Sequence, residues 1–331
     1  MSSSLRARVV RNPPRSRDTL TDIIGRIEVD IVAESYLYIG SGFKSMPANL
    51  VEELKKAIKS DKSVENLRSA ISTISTRVFK EYEAPVVVKG RLVIPGSSVK
   101  GNVRSRLELS FVPKGDQIRA CLIRAGDYPI EPPSRGMLGW RHFRIWEKSL
   151  KFIREGPCDY TRMQNVCLLC DLFGTAGLAG LIHFSDFEGP SISSAMPLSL
   201  PVGESLLVAK PGSVFSGHVM FMNVKPWELG LLFYGMGLRN KAIGRPVLLG
   251  KHKYRRYGDV KLGIVRYRVK RLQLSKLSSP LKVAVEVKPE GSVEGENLER
   301  AVNAALELVR ENLENELVDI DEVKALEQIE V

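Results

Sequence analysis

The chain has 331 residues, 44% hydrophobic and 26% charged, with a formal net charge of +11 and a pI near 9.5. That composition suits a globular protein with a sizeable core, and the positive surplus favours a polyanionic partner without identifying one. No stretch approaches the ~20 apolar residues that span a bilayer. The start, MSSSLRARVVRNPPRSR, lacks the apolar centre of a secretory signal, so a cytoplasmic location with no membrane partner is expected.

Charge is unevenly placed. Glu290 to Val331 carries thirteen acidic and three basic residues, a net of −10, which leaves +21 on the remainder. An acidic tail on a basic body suits a body that meets phosphates and a tail that faces solvent or a protein neighbour.

In chain order, residues 1–20 are polar and Arg-rich with Pro13 and Pro14, and are expected to form a flexible basic arm. Ile23 to Leu37 alternates as a strand and runs into a glycine turn, Tyr38-Ile-Gly-Ser-Gly42. Within an insertion at 44–80, apolar spacings of three and four predict helices over Asn49–Lys59 and Ser63–Val78. Pro85 to Ile94 is β-branched and strand-like, Pro95-Gly-Ser-Ser98 breaks it, and Val99 to Leu109 reads as a helix. Residues 111–139 look irregular, Trp140 to Ile153 reads as helical, and a cysteine cluster follows inside an insertion spanning 111–173. Residues 187–207 form a Pro/Ser-rich excursion. Phe215–Val224 is a strand, Trp227–Leu238 a helix, Arg239–Tyr257 a basic glycine-bounded loop and Val260–Val269 a closing strand. In the tail, 289–331, Glu296–Leu317 is an amphipathic helix with Leu298, Val302, Ala305, Leu306, Val309 and Leu313 on one face. With no internal repeat and no clean linker, one α+β domain over 21–288 with insertions is expected.

The segment Ile94 to Arg104 (IPGSSVKGNVR) is the first candidate site. Gly96 and Gly101 permit close backbone approach. Ser97 or Ser98 suits a helix N-cap, which leaves backbone N–H groups at a positive helix end. Lys100, Arg104 and Arg106 follow within two turns, so an anion site results. It is not a Walker loop, whose GxxxxGK[ST] spacing is missing.

Four motifs in order resemble the RAMP superfamily, the repeat-associated proteins that build the backbone of type III CRISPR effector complexes. They are Leu37-Tyr-Ile-Gly-Ser-Gly42, Pro95-Gly-Ser-Ser-Val-Lys-Gly101 with Arg104 and Leu107, Cys167-Leu-Leu-Cys-Asp-Leu-Phe-Gly174, and Trp227-Glu-Leu-Gly-Leu-Leu followed by Gly250 to Gly258. The resemblance covers about residues 25–270. It implies a ferredoxin-like, RRM-like core, an antiparallel sheet with packed helices, stacked with other RAMP subunits along a guide RNA that pairs with target RNA. By the match, Gly40, Ser41, Gly96, Ser97, Ser98, Lys100 and Arg104 lie on the guide backbone, with Lys251, His252, Lys253, Arg255 and Arg256 as a second group. Gripping by phosphate and shape needs no sequence code, which suits a subunit that accepts any guide.

Cys158, Cys167 and Cys170 lie within thirteen residues. Such a cluster in a reducing compartment reads as a metal site, and Cys-x-x-Cys places two thiolates on one ion. A structural zinc needs a fourth ligand: His142 is the first choice, with His183 and then Cys121 behind it, and the resemblance also implies a site of one histidine and three cysteines in this insertion. Buried free thiols or a redox pair are the alternatives, and against the redox pair Asp171-Leu-Phe-Gly does not look like the helix opening which that chemistry requires.

Family members that cut RNA carry an acidic residue, usually Asp, just before Ser/Ala-Pro-Val. Here Glu81-Tyr-Glu-Ala-Pro-Val86 places Glu83 there, one methylene longer. A misplacement of ~1 Å can cost ~100-fold in rate. Glu83 is therefore a weak catalytic candidate, with Mg or Mn as the cation it would use. The excursion at 187–207 has no Arg or Lys, unlike the basic thumb such subunits carry. The expected function is a guide-RNA-binding subunit of a type III interference complex. The alternatives are an endoribonuclease using Glu83, or a zinc-stabilised RNA-binding protein outside CRISPR.

Overall fold

The structure is a computed structural model that describes residues 6–45, 82–123 and 132–329, with isolated helical positions at 55, 68 and 72. Apart from those three positions, the helices expected at Asn49–Lys59 and Ser63–Val78 lie outside the described residues.

Three eleven-residue strands form the centre. Ile23–Ala33 lies between Ile264–Leu274 and Val214–Val224, antiparallel to both. Phe187–Ser191 pairs antiparallel beside Val214–Val224, and Arg91–Ile94 follows at its far side. Two helices, Gly96–Ser110 and Pro226–Gly235, carry the chain between these strands. The order strand, helix, strand, strand, helix, strand, with the first and third strands central, is the ferredoxin-like arrangement, and the fold is α+β.

Alternation explains how the sheet holds its helices. Along Ile23–Ala33, residues Ile27, Val29 and Ile31 are fully buried, whereas Arg26 is exposed and Glu28 half-buried on the other face. That is the period of two of a strand with one covered face. The buried side joins Val99, Val103 and Leu107 of the first helix and Leu229, Leu232 and Phe233 of the second in one core.

The C-terminal helix spans Gly295–Asn312 and packs Leu298, Val302, Ala305, Leu306 and Val309 into that core. It stops short of the expected Leu317 because Leu313 leaves helical geometry and Leu317 bridges to Phe111. The acidic tail then folds onto its own domain. Asp319 pairs with Arg239 and Arg245, and a last helix, Glu322–Gln328, brings the Glu322 carboxylate into a buried pair with Arg106 at 2.8 Å. Several of its acidic residues thus serve as internal counter-charges.

The flexible arm expected at residues 1–20 is, in its described part, strapped down. Arg6–Val9 pairs in parallel with Gln117–Ile118 on one side and Ile153–Arg154 on the other. Arg15 reaches Asp171 at 2.7 Å and also Glu228, and Arg17 reaches Asp171 at 2.7 Å. Arginines that read as solvated charges find half-buried and buried carboxylates, a pairing composition alone cannot reveal.

The excursion at 187–207 begins with a core strand. Its remainder is a hairpin, Met196–Ser199 with Ser205–Val208, that joins Tyr82–Pro85 and Gly40–Ser45 in a second, four-stranded sheet. Glu83 stands in register with Leu206 in that sheet. Among the described residues no helix is long and apolar enough to cross a membrane.

Candidate nucleic-acid interface

Three segments far apart in sequence meet in one cleft. A cavity of about 340 Å³ is lined by Ile39 and Gly40, by Ser98, Gly101, Asn102 and Ser105 of the Gly96–Ser110 helix, and by Leu249, Gly250, Lys251 and Lys253. The first glycine turn, the glycine–serine segment and the late glycine loop therefore share a wall. Buried polar groups lock them together from beneath. Asn102 donates to the Leu248 carbonyl at 2.7 Å and accepts from Tyr267 and Arg106. Glu322 accepts from the Leu248 N–H at 2.6 Å and from Arg106. The late loop rests on the first turn through a bond from the Lys251 N–H to the Tyr38 carbonyl at 3.2 Å.

The start of the helix differs from the expected cap. Pro95 holds the N-cap position and bonds through its carbonyl to Ser98 and Val99, so Ser97 and Ser98 sit inside the first turn. The Gly96 N–H donates to Asp186 at 2.8 Å, so an internal carboxylate takes part of the positive helix end. Gly96 is required by this packing, since a Cβ there would meet the Phe184 carbonyl oxygen at 2.3 Å. Gly101 is the opposite case. It is exposed, lies within the helix, and a Cβ there would meet nothing within 4 Å. Glycine in a helix interior costs ~1 kcal/mol relative to alanine, and no neighbour among the described residues offsets that cost. Ser97 is exposed, and Ser98 and Lys100 are half-buried. Burial lowers the Lys100 pKa, with Arg104 adding to the effect. Ser41 turns its hydroxyl to the Ala84 carbonyl at 2.9 Å.

Arg104 does not face the cleft. Its guanidinium donates to Glu108 at 2.7 Å, to the Gly174 carbonyl at 2.5 Å and to Cys170 Sγ at 3.1 Å. It is an internal brace, and its assignment to phosphate is corrected. The reason is helical phase: Arg104 is four residues before the buried Glu108, and the pair turns inward together. Arg106 is likewise buried.

The second basic group divides. Lys251 is exposed, and its Nζ lies 2.7 Å from Glu83 and 3.6 Å from Glu204. His252 is buried with a positive φ of 66°; its Nδ1 meets the Tyr257 hydroxyl at 3.1 Å, and its Nε2 lies 2.9 Å from Glu204. His252 is therefore a pinned core residue and not a free phosphate contact, because the loop must turn inward there. Lys253 is half-buried, and desolvation of its ammonium brings its pKa down to about 8. Arg255 is exposed, and Arg256 donates to the Leu326 carbonyl.

Glu83 accepts from Lys251 at 2.7 Å and from the Tyr38 hydroxyl at 3.1 Å. The hydrogen bond from Lys251, with that from Tyr38 behind it, holds its carboxyl below the ordinary range. A carboxylate so engaged is a poor proton acceptor. Among the described residues, the one cluster of three or more metal-type side chains lies elsewhere. Glu204 and Asp186 also take part in this region. Sequence reasoning misses both, because they lie in or beside a stretch that reads only as polar excursion.

The metal-type cluster consists of Cys121, Cys158, Cys167 and Cys170, all buried, with their sulfurs within 4.8 Å of one another. Cys121 Sγ lies 3.5 Å from Cys170 Sγ and 3.6 Å from Cys167 Sγ. Thiolates ~2.3 Å from a tetrahedral ion stand ~3.8 Å apart, so the donors suit a four-coordinate metal such as zinc. The Cys167 N–H points to Cys158 Sγ at 3.3 Å and the Cys121 N–H to Cys167 Sγ at 3.4 Å. Four thiolates around a divalent ion leave a charge of −2, and Arg104 stands beside it.

The expected ligand His142 is corrected to Cys121. His142 is half-buried with its ring edge-on to Tyr254 at 5.0 Å, and burial takes its pKa down to about 4. His183 is exposed on the strand Ile182–Phe184. Cys121 ranks low by sequence because it lies far upstream of the other three, where spacing gives no signal. The parity of four cysteines for four positions is the available clue.

A family model described as the RAMP superfamily matches residues 30–329. Among solved structures, the crystal structure of Thermofilum pendens Csc2 aligns over 96% of this chain and 86% of that chain, at 12% identity and a TM-score of 0.33. No curated protein matches the sequence. With nine-tenths of its length matched by the family model, and with the glycine motifs meeting in one cleft, the chain belongs to the RAMP superfamily.

Proposed function

We propose that this chain is a guide-RNA-binding subunit of a type III CRISPR ribonucleoprotein, gripping the RNA backbone in the cleft between Gly40, the helix Gly96–Ser110 and the loop Gly250–Lys253. The observation that carries the reading is Gly101, an exposed helical glycine on the cleft wall that no contact within the described fold requires. A backbone passing against the helix accounts for it. Ser98, Lys251 and Lys253 supply donors and charge in the wall of the same cleft, whereas Lys100, one turn before Arg104, lies outside that wall. The other partners on this reading are neighbouring RAMP subunits and complementary target RNA.

The four cysteines hold structural zinc on this reading, fastening the irregular insertion to the arm and to the signature helix through Arg104. Cleavage of target RNA is not part of the proposal, since Glu83 is committed to Lys251 and Tyr38.

The test is binding of the full chain to single-stranded RNA across a salt series. Lys251→Ala flattens the slope of log K against log salt by ~0.7 for each phosphate that the side chain neutralises. An unchanged slope rejects Lys251 as a phosphate contact. Absence of any RNA binding, alone and in the isolated native complex, rejects the reading.

A further inference from the structure

Beside the cleft lies a second and larger cavity, about 880 Å³, between the segment Pro133–Phe143 and the loop Gly250–Tyr257. That is within the ~300–1,000 Å³ range of sites that enclose ligands. It shares Ser105, Gly250, Lys251 and Lys253 with the cleft, so the two are continuous. Its character is different. The cleft is lined mostly by glycine, serine, asparagine and lysine and has no aromatic residue in its wall, whereas this groove has Phe143 and Tyr254 in its walls and Met137 and Leu138 exposed on its rim, at 66% and 84%.

Its charge is one-sided. Arg141, Lys251, Lys253, Arg255 and Arg256 line it, and no acidic side chain does among the described residues. Elsewhere on this chain arginines are commonly paired with carboxylates, as Arg11, Arg15, Arg119, Arg239 and Arg266 show. Arg141 has no such partner among the described residues, and its Nε is buried without a hydrogen bond there. Burial lowers its pKa, and the neighbouring Arg256 lowers it further. Two guanidiniums that repel each other in a groove without carboxylates make a site for an anion. Aromatic and apolar walls beside cations suit a ligand that is flat and charged at its edge, which describes a nucleotide in a single strand.

We infer that the groove between Pro133–Phe143 and Gly250–Tyr257 takes unpaired nucleotides of a single-stranded RNA, holding phosphate at Arg141 and Arg256 and a base against Tyr254 under Met137 and Leu138. The inference rests on the proposed RNA-binding reading and deepens it. The cleft grips backbone alone, and the groove beside it engages a base.

The experiment uses the full chain and a polyuridine oligonucleotide carrying one 4-thiouridine for photocrosslinking, moved along the strand, with a matched series carrying one abasic nucleotide. One register is expected to crosslink to peptides containing Phe143 or Tyr254. An abasic nucleotide in that register is expected to weaken binding about tenfold, as for loss of one stacked base. Arg141→Gln lowers affinity with the melting temperature unchanged, and Met137→Ala with Leu138→Ala removes the abasic effect. Crosslinks confined to Gly96–Ser105 and Gly250–Lys251, with no abasic effect in any register, overturn the groove and leave the cleft reading standing. Groove crosslinks with an inert Gly101→Leu variant do the reverse. Displacement of the RNA by a polyglutamate peptide at equal charge concentration overturns the inference in favour of an acidic protein segment.

Discussion

Replacing Gly101 separates stability from binding. Gly101 lies within the helix Gly96–Ser110, is exposed, and has open space where a Cβ would be. Gly101→Ala therefore removes a helix penalty of ~1 kcal/mol and adds no clash. For a chain of this length that raises the melting temperature by roughly 2 °C. If an RNA backbone packs on Gly101, the same methyl meets it, and Gly101→Leu inserts three further carbons. A tenfold loss of affinity corresponds to ~1.4 kcal/mol, within the ~1–3 kcal/mol that overpacking of a close contact costs. Gly101→Leu should thus lose at least tenfold and Gly101→Ala a smaller factor, while both variants melt no lower than the parent. The assays are thermal unfolding and fluorescence anisotropy with a labelled single-stranded RNA at one fixed salt concentration. Unchanged affinity for Gly101→Leu in a fully folded protein would refute the claim that RNA contacts this face. Gly96→Ala is the contrasting control: it collides with the Phe184 carbonyl and should lower the melting temperature.

Elemental analysis of purified Cys121→Ala should find zinc below one ion per chain and melting lowered by on the order of 10 °C. His142→Ala should retain full zinc, and the reverse pattern would restore the histidine as ligand. Arg104→Ala strands Glu108, whose side chain is 3% exposed, and should cost ~3 kcal/mol by denaturant titration. A loss confined to RNA binding would instead return Arg104 to the phosphate. Lys253, with a folded pKa of about 8 against ~10.4 unfolded, binds fewer protons folded than unfolded between those values. Its contribution to stability should therefore grow as pH rises from about 8 to about 10.5 and disappear as pH falls through 8. RNA affinity should weaken over the first part of that rise as the charge is lost. In Lys253→Met both inflections should vanish, as followed by melting and anisotropy against pH.

Much of the fold is legible in the sequence because it rests on local periodicity. The alternation of Ile27, Val29 and Ile31, the strand at 215–224 and the heptad-like face of Leu298, Val302 and Val309 each report which side meets the core, and give an α+β domain; the ferredoxin-like class is what the resemblance of the ordered motifs implies. The glycine motifs are legible as residues with no other evident use. Direction and partnership are not. Arg104 sits in the signature stretch yet points inward, since helical phase relative to a core strand fixes where a side chain goes. Helix ends escape for a similar reason: Leu313 leaves the helix to let Leu317 reach Phe111.

Residue type, spacing and order along one chain suffice for the class of the fold, the family, and the importance of three glycine-bearing segments and a set of thiols. Which groups meet is a matter of three dimensions. Folding brings Cys121 to the other three cysteines and takes His142 away. It turns the arm and the acidic tail into internal braces, ties Glu83 to Lys251, and sets an arginine-lined groove beside the glycine cleft. Contacts between residues dozens or hundreds of positions apart leave no periodic trace in a single sequence. They arise when burial of the core fixes every surface residue in space, and the charges then find the partners that geometry allows.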